Sequence, residues 1–289
     1  MATEFRAAGG RARPAAPAGL GRRGRRLSDH ETGQRMLRAA VAMVHRTGLT
    51  VSLDHISFED VIRDADVSRS AVYRRWPYKD LFFSDLVKEL ARDANPPAIV
   101  SDEVSMIRQI VAERPDWLET ADGRHRLMLE MFRQLSLLDF QALYQSPEWR
   151  TYLALHATFL SLADGELRDE VQEIRAKSER EHTARVAAAW EQMAALFGYR
   201  LRPGATFAVL ATLLSATMRG LIITALSLPE LAGPQAHGNP FGADGDWSLD
   251  AIGLTSIALA FLEPDPAAEW DPQRVAAVRQ ALSSLSLPE

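Results

Sequence analysis

The amino-acid sequence predicts an all-α fold in two parts, a small helical unit near the N-terminus and a larger helical domain behind it. Apolar residues recur at helical spacing over long stretches, as Leu37, Val41 and Val44 do. Proline and glycine punctuate those stretches at Gly48, Pro77, Pro96, Pro97, Pro115, Pro147 and Gly165. No segment alternates apolar and polar residues convincingly, so no strand is expected.

Of the 289 residues, 47% are apolar and 25% charged, an ordinary globular composition with room for a sizeable core. There is no cysteine, which excludes disulfides, thiolate metal sites and a cysteine nucleophile, and fits a reducing compartment. The N-terminus lacks a hydrophobic run, so no signal peptide and a cytoplasmic location are expected.

Residues 1–27 are rich in Gly, Ala, Pro and Arg without periodicity and read as a disordered arm. Seven arginines against Glu4 give the arm a net charge of +6. Its densest cluster, Arg22, Arg23, Arg25 and Arg26, suits a phosphate backbone or a minor groove. Gly19 to Gly24 spells G-x-G-x-x-G, but no strand precedes it and no βαβ unit follows, so a dinucleotide site is not supported. Residues 28–80 balance eight basic against eight acidic groups, and residues 81–289 carry −11. The overall charge of −5 therefore hides an anion-binding N-terminal end with an acidic body behind it.

A first helix spans 31–47, with Leu37, Val41 and Val44 as its inner stripe and Gly48 as its stop. After a loop at 49–55, Ser57 caps a second helix that turns Val61, Ile62 and Ala65 inward. A short turn ends at Val67. Ser68 then caps a third helix carrying Val72 and Trp76 inward, and Pro77 stops it. On that helix Arg69, Ser70, Tyr73 and Arg74 fall on roughly the opposite face. An arginine can fork onto guanine or phosphate and hydroxyls suit phosphate oxygens, so this face has the chemistry of a DNA reading head. Asp66 stands in the turn, where it must adopt a left-handed conformation at a cost of roughly 1 kcal/mol or reshape the turn. A fourth helix runs over 78–94. Lys79 in its first turn opposes the helix dipole, a fault that a bound phosphate would convert into an advantage. Asn95-Pro96-Pro97 marks a boundary between a helix-turn-helix domain at 28–95 and a second domain at 96–289.

Leu37–Ala40, Gly48, Val67-Ser68, Val72-Tyr73, Trp76-Pro77 and Lys79-Asp80-Leu81 together resemble the tetracycline-repressor (TetR) family of bacterial transcription regulators, over about residues 31–90. The turn aspartate, the long loop at 49–55 and Tyr78 in place of a small capping residue depart from the family pattern. The resemblance implies that Ser68, Arg69, Ser70, Tyr73 and Arg74 contact DNA and that Lys79 grips a phosphate. It further implies a homodimer on a pseudo-palindromic double-stranded operator, usually a repressor, released by a small-molecule effector. A constitutive regulator without effector is the alternative within this class.

In the second domain, helical patterns run at about 102–113, 123–145, 148–163, 166–198, 203–228, 248–262 and 271–285. Met128, Phe132, Trp149, Tyr152, His156 and Trp190 could line a mostly apolar effector pocket. The segment 203–228 holds a single charge, Arg219, and is long enough to span a bilayer; that charge and its threonines argue for burial in protein instead. Ala208, Ser215, Ala216 and Gly220, with Ala251 and Ala258 of 248–262, are small enough for close helix approach and suggest a four-helix dimer interface. Glu179-x-x-His182 and Asp122-x-x-His125 raise a helical di-metal enzyme as an alternative from another class. Glu179 and His182 lie in the most charged stretch of the chain, where a solvated face is expected, and neither a metal nor a cofactor is expected.

Overall fold

A computed structural model describes residues 27–47, 56–93 and 101–284. The arginine arm through Arg26, the loop at 49–55 and the boundary at Asn95-Pro96-Pro97 lie outside the described residues.

Four helices, α1 (Asp29–Thr47), α2 (Phe58–Asp64), α3 (Arg69–Arg75) and α4 (Lys79–Asp93), surround one core. Ser57 and Ser68 begin α2 and α3, each accepting from the amide three residues on at 3.3 Å. Val61, Ile62, Ala65, Val72 and Trp76 are buried against Phe82, Leu86 and Leu90 of α4. The buried stripe of α1 is Met36, Ala40 and Val44; Leu37 and Val41 flank it and are half-buried. It is displaced by about one position from the expected one, because α1 meets four helices rather than one surface. Asp66 takes the left-handed conformation at φ 51°.

Among the described residues seven further α-helices follow: α5 (Ser101–Glu113), α6 (Ala121–Gln145), α7 (Pro147–Ser161), α8 (Glu166–Phe197), α9 (Phe207–Ala225), α10 (Leu249–Phe261) and α11 (Pro272–Ser283). Side-chain caps from Thr120, Ser146, Thr206, Ser248 and Asp271 set the starts of α6, α7, α9, α10 and α11. The main core is built from α5–α11 around Leu127, Phe140, Leu210, Ile222 and Leu282. The two halves meet where Val87 and Ala91 of α4 pack on Val171 of α8, with Lys88 paired to Glu170 beside them.

Contrary to the sequence expectation, short strands are present. β1 (Tyr199–Leu201) pairs antiparallel with β4 (Leu262–Pro264), and β2 (Ala236–Gly238) with β3 (Gly245–Trp247). Three residues are too few to show an alternation, and these pairs are fixed by what they anchor. Trp247 is fully buried against Leu129 and donates to the Ala243 carbonyl at 3.1 Å. Gly198, left-handed at φ 69°, lies so close to Trp270 that a Cβ would sit 2.7 Å from its Nε1.

Candidate nucleic-acid interface

Burial of Val72 and Trp76 leaves α3 only one direction for its polar residues. Ser68, Arg69, Ser70, Tyr73 and Arg74 are all exposed, with Arg69 and Tyr73 one turn apart on one row and Ser70 and Arg74 on the next. Trp76 is held by its Nε1–H donating to Asp85 at 2.9 Å and by an edge contact with Phe82. Arg75 turns away from this face and lies over the Trp76 ring at 4.9 Å, backed by Gly33 of α1. Ser68 spends its oxygen on the cap of α3 and lies 3.4 Å from the Ser70 hydroxyl. Lys79 is exposed at the start of α4.

Two acidic residues that sequence reasoning missed hold this face. Glu59 of α2 accepts from Arg69 at 2.7 Å and from the Tyr73 hydroxyl at 3.1 Å, and the hydrogen bond to Glu59 raises the Tyr73 pKa. Asp29 of α1 accepts from Arg74, with Nε at 3.1 Å. Both acids read in the sequence as ordinary first-turn residues that complement a helix dipole. Only the crossing of α1 and α2 beside α3 brings them to the arginines.

Of the residues expected to line an effector pocket, Trp149, Tyr152 and His156 form one run of ring contacts, at 4.6 and 4.4 Å between centroids. Met128, Trp149 and Tyr152 are buried in the main core, and Phe132 and Trp190 stack on each other at 5.3 Å. Tyr152 and His156 reach a narrow crevice of about 10 Å³, enough for one water, shared with Ala91, Leu155, Arg175, Ser178 and Glu179. Tyr152 donates to Glu179, whose other oxygen accepts from Arg219 at 2.8 Å. Burial works against ionised Glu179, but these two hydrogen bonds prevail and lower its pKa. Burial also lowers the pKa of His156, His182 and Arg175. The charged first half of α8 is solvated on one side, where Glu173, Lys177, Arg180 and Glu181 are exposed. Its other side turns Arg175, Glu179 and His182, at i, i+4 and i+7, inward beside Arg219.

Glu179 is thus committed to Tyr152 and Arg219, His182 lies 3.3 Å from Ser215, and His125 lies 2.9 Å from the Tyr199 hydroxyl. Among the described residues no group of three or more His, Asp or Glu could hold a metal ion.

Of the residues expected at a dimer interface, Ala208, Ala216 and Gly220 are exposed on α9, and Ser215 is half-buried against His182. Ala251 and Ala258 are not on that face. They are buried in the chain's own core, because α10 packs its small-residue side against α6 and α9. Helix α9 is long and apolar enough to cross a membrane by length and composition, and only 28% of its most apolar window is buried.

A capped, buried-backed second helix with an exposed basic row, set across a first helix by a left-handed turn, defines a helix-turn-helix protein. No family model matches the chain. An 84-residue stretch is 33% identical to an uncharacterised HTH-type transcriptional regulator of Mycobacterium tuberculosis, covering 28% of this chain and 42% of that protein. The chain thus spans under half the length of such curated relatives. Among solved structures it is similar to SmeT, described as the repressor of the Stenotrophomonas maltophilia multidrug efflux pump SmeDEF. That match has 20% identity, covers 84% of this chain and 100% of SmeT, and has a TM-score of 0.37. It is also similar to a TetR-family transcriptional regulator from Agrobacterium tumefaciens, at 14% identity, 81% and 96% coverage and a TM-score of 0.38. Over that 84-residue stretch, which includes the helix-turn-helix, the chain is similar to HTH-type transcriptional regulators.

Proposed function

We propose that this chain is a TetR-type transcription regulator that binds a pseudo-palindromic duplex operator as a homodimer, in the cytoplasm. The observation that carries the reading is the exposed row Arg69, Ser70, Tyr73 and Arg74 on a helix whose other side is buried. Two copies of α3 related by a two-fold axis would enter successive major grooves about one helical turn apart. Lys79 and the arginine arm would add affinity of a sequence-independent kind. The exposed apolar side of α9 supports a second copy of the chain as its cover, with Val209, Leu213 and Ile223 exposed beside Ala216 and Gly220.

Release of DNA by a small molecule, and hence repression relieved by an effector, completes the proposal. The crevice beside Tyr152 and His156 supports it, because Ala91 of α4 forms one wall and α4 carries the helix-turn-helix core. A ligand that widens the crevice would shift α4 and with it the spacing of the two reading helices. The lining favours a ligand with a polar end facing His156 and Arg175 over a wholly apolar one.

Selection of bound duplexes from a random library with the purified full chain tests the DNA reading. Arg74→Ala is expected to cost about 1–3 kcal/mol on the enriched duplex and to relax preference at one position per half-site. Lys79→Ala is expected to weaken all duplexes alike and to flatten the salt dependence by about one unit. Wild-type binding and preference in both variants would remove α3 as the reading helix.

A further inference from the structure

We infer that Glu59 is a specificity-determining positioning residue, a built-in counter-ion that holds Arg69 and Tyr73 of the reading helix until a matching duplex replaces it. The inference rests on the DNA-binding reading of α3. Three observations carry it. One carboxylate on α2 engages two residues one turn apart on α3, Arg69 at 2.7 Å and the Tyr73 hydroxyl at 3.1 Å. Its position is rigid: Phe58, its neighbour, is buried and meets the Tyr73 ring edge-on at 5.8 Å, and Ser57 caps the same turn. The clamp is also open to solvent, with the Arg69 side chain 73% exposed and that of Glu59 48% exposed, so a duplex can reach the arginine.

The consequence is electrostatic and geometric together. An unpaired arginine neutralises any phosphate it meets, releasing one counter-ion from the duplex and gaining affinity regardless of sequence. An arginine already paired to Glu59 brings no net charge to a random duplex. To bind, it must exchange one carboxylate for one DNA acceptor. A forked contact to a guanine offers two acceptors and compensates for that exchange, whereas a single phosphate contact compensates less. Glu59 therefore suppresses non-specific binding and holds the arginine and the tyrosine in one fixed arrangement on the helix face. Asp29 stands in a parallel relation to Arg74, on the other row of the same helix.

The test compares Glu59→Gln and Glu59→Asp with wild type, on a duplex of random sequence and on the duplex enriched by selection, over a range of salt concentrations. Glu59→Gln is expected to tighten binding to the random duplex by about threefold to fivefold and to steepen its salt dependence by about one unit. The preference for the enriched duplex should fall by about fivefold or more. Glu59→Asp keeps the charge and shortens the reach. It should retain the wild-type salt slope while losing preference, and it keeps the test open if Glu59→Gln does not fold. A residue that only stabilised α2 would lower the melting temperature and weaken both duplexes together. That result, or unchanged preference in both variants, overturns the inference and leaves the DNA reading standing. Failure of wild type to bind either duplex refutes the DNA reading itself.

Discussion

Asp66 sets the geometry on which the proposed reading residues depend. Among the described residues it is the one non-glycine with positive φ, at 51°, and it stands in the turn between α2 and α3. The left-handed conformation costs an L-residue about 1–2 kcal/mol, and aspartate tolerates it better than most because its short carboxylate can bond locally. Asp66→Gly is therefore expected to change stability by less than about 1 kcal/mol, relief of strain being offset by glycine's larger loss of backbone entropy. Asp66→Ala is expected to destabilise by about 1 kcal/mol. Urea unfolding of the full chain at neutral pH checks both. A destabilised glycine variant would mean that the carboxylate, not the backbone, holds the turn.

At the scale of one element, α10 carries a buried charge that its sequence does not announce. Asp250 is 1% exposed in the first turn of a helix otherwise free of charge. Burial raises its pKa, only partly offset by Ser248 and the first amides of α10. A carboxyl whose folded pKa is raised penalises the fold most above that pKa, where the unfolded chain ionises freely. The penalty disappears below the unfolded pKa of about 3.9. Asp250→Asn, close in shape and uncharged, is thus expected to raise the melting temperature at pH 7. The gain should shrink as pH falls towards 4. Melting curves of both proteins across that range decide it; a gain that grows in acid contradicts the assignment.

For the whole molecule, the open side of α9 is the feature that a single copy leaves unresolved. Val209, Leu213 and Ile223 are 50%, 41% and 53% exposed, and they share a face with Ala216 and Gly220. Covering those three on each copy would contribute about 1 kcal/mol per side chain, half the value for complete burial. The homodimer proposal therefore predicts a melting temperature that rises with protein concentration. It also predicts that Ala216→Glu gives a monomer, because the added carboxylate would lie buried between two helices. Analytical ultracentrifugation at micromolar concentration reads the outcome directly. A monomeric wild type rules out this interface, and with it the paired reading helices.

Local chemistry made the helix-turn-helix legible. Ser57, Ser68 and Pro77 fix the ends of short helices, and the 3.6-residue spacing of Val72 and Trp76 forces Arg69, Ser70, Tyr73 and Arg74 outward whatever else the chain does. Composition likewise excluded thiol chemistry, since no cysteine is present. The partners of those outward residues depend on helix crossing angles, which no pattern within one helix encodes, so Glu59 and Asp29 emerge only in three dimensions. The same holds for Arg175, Glu179 and Arg219. A charged stretch and a lone arginine forty residues apart look solvated and orphaned until α8 and α9 pack and turn each into the other's neutralising partner. Periodicity selects a buried face. Which charges a second helix allows on that face is decided by the tertiary fold, because only close packing excludes water and supplies the opposite charge.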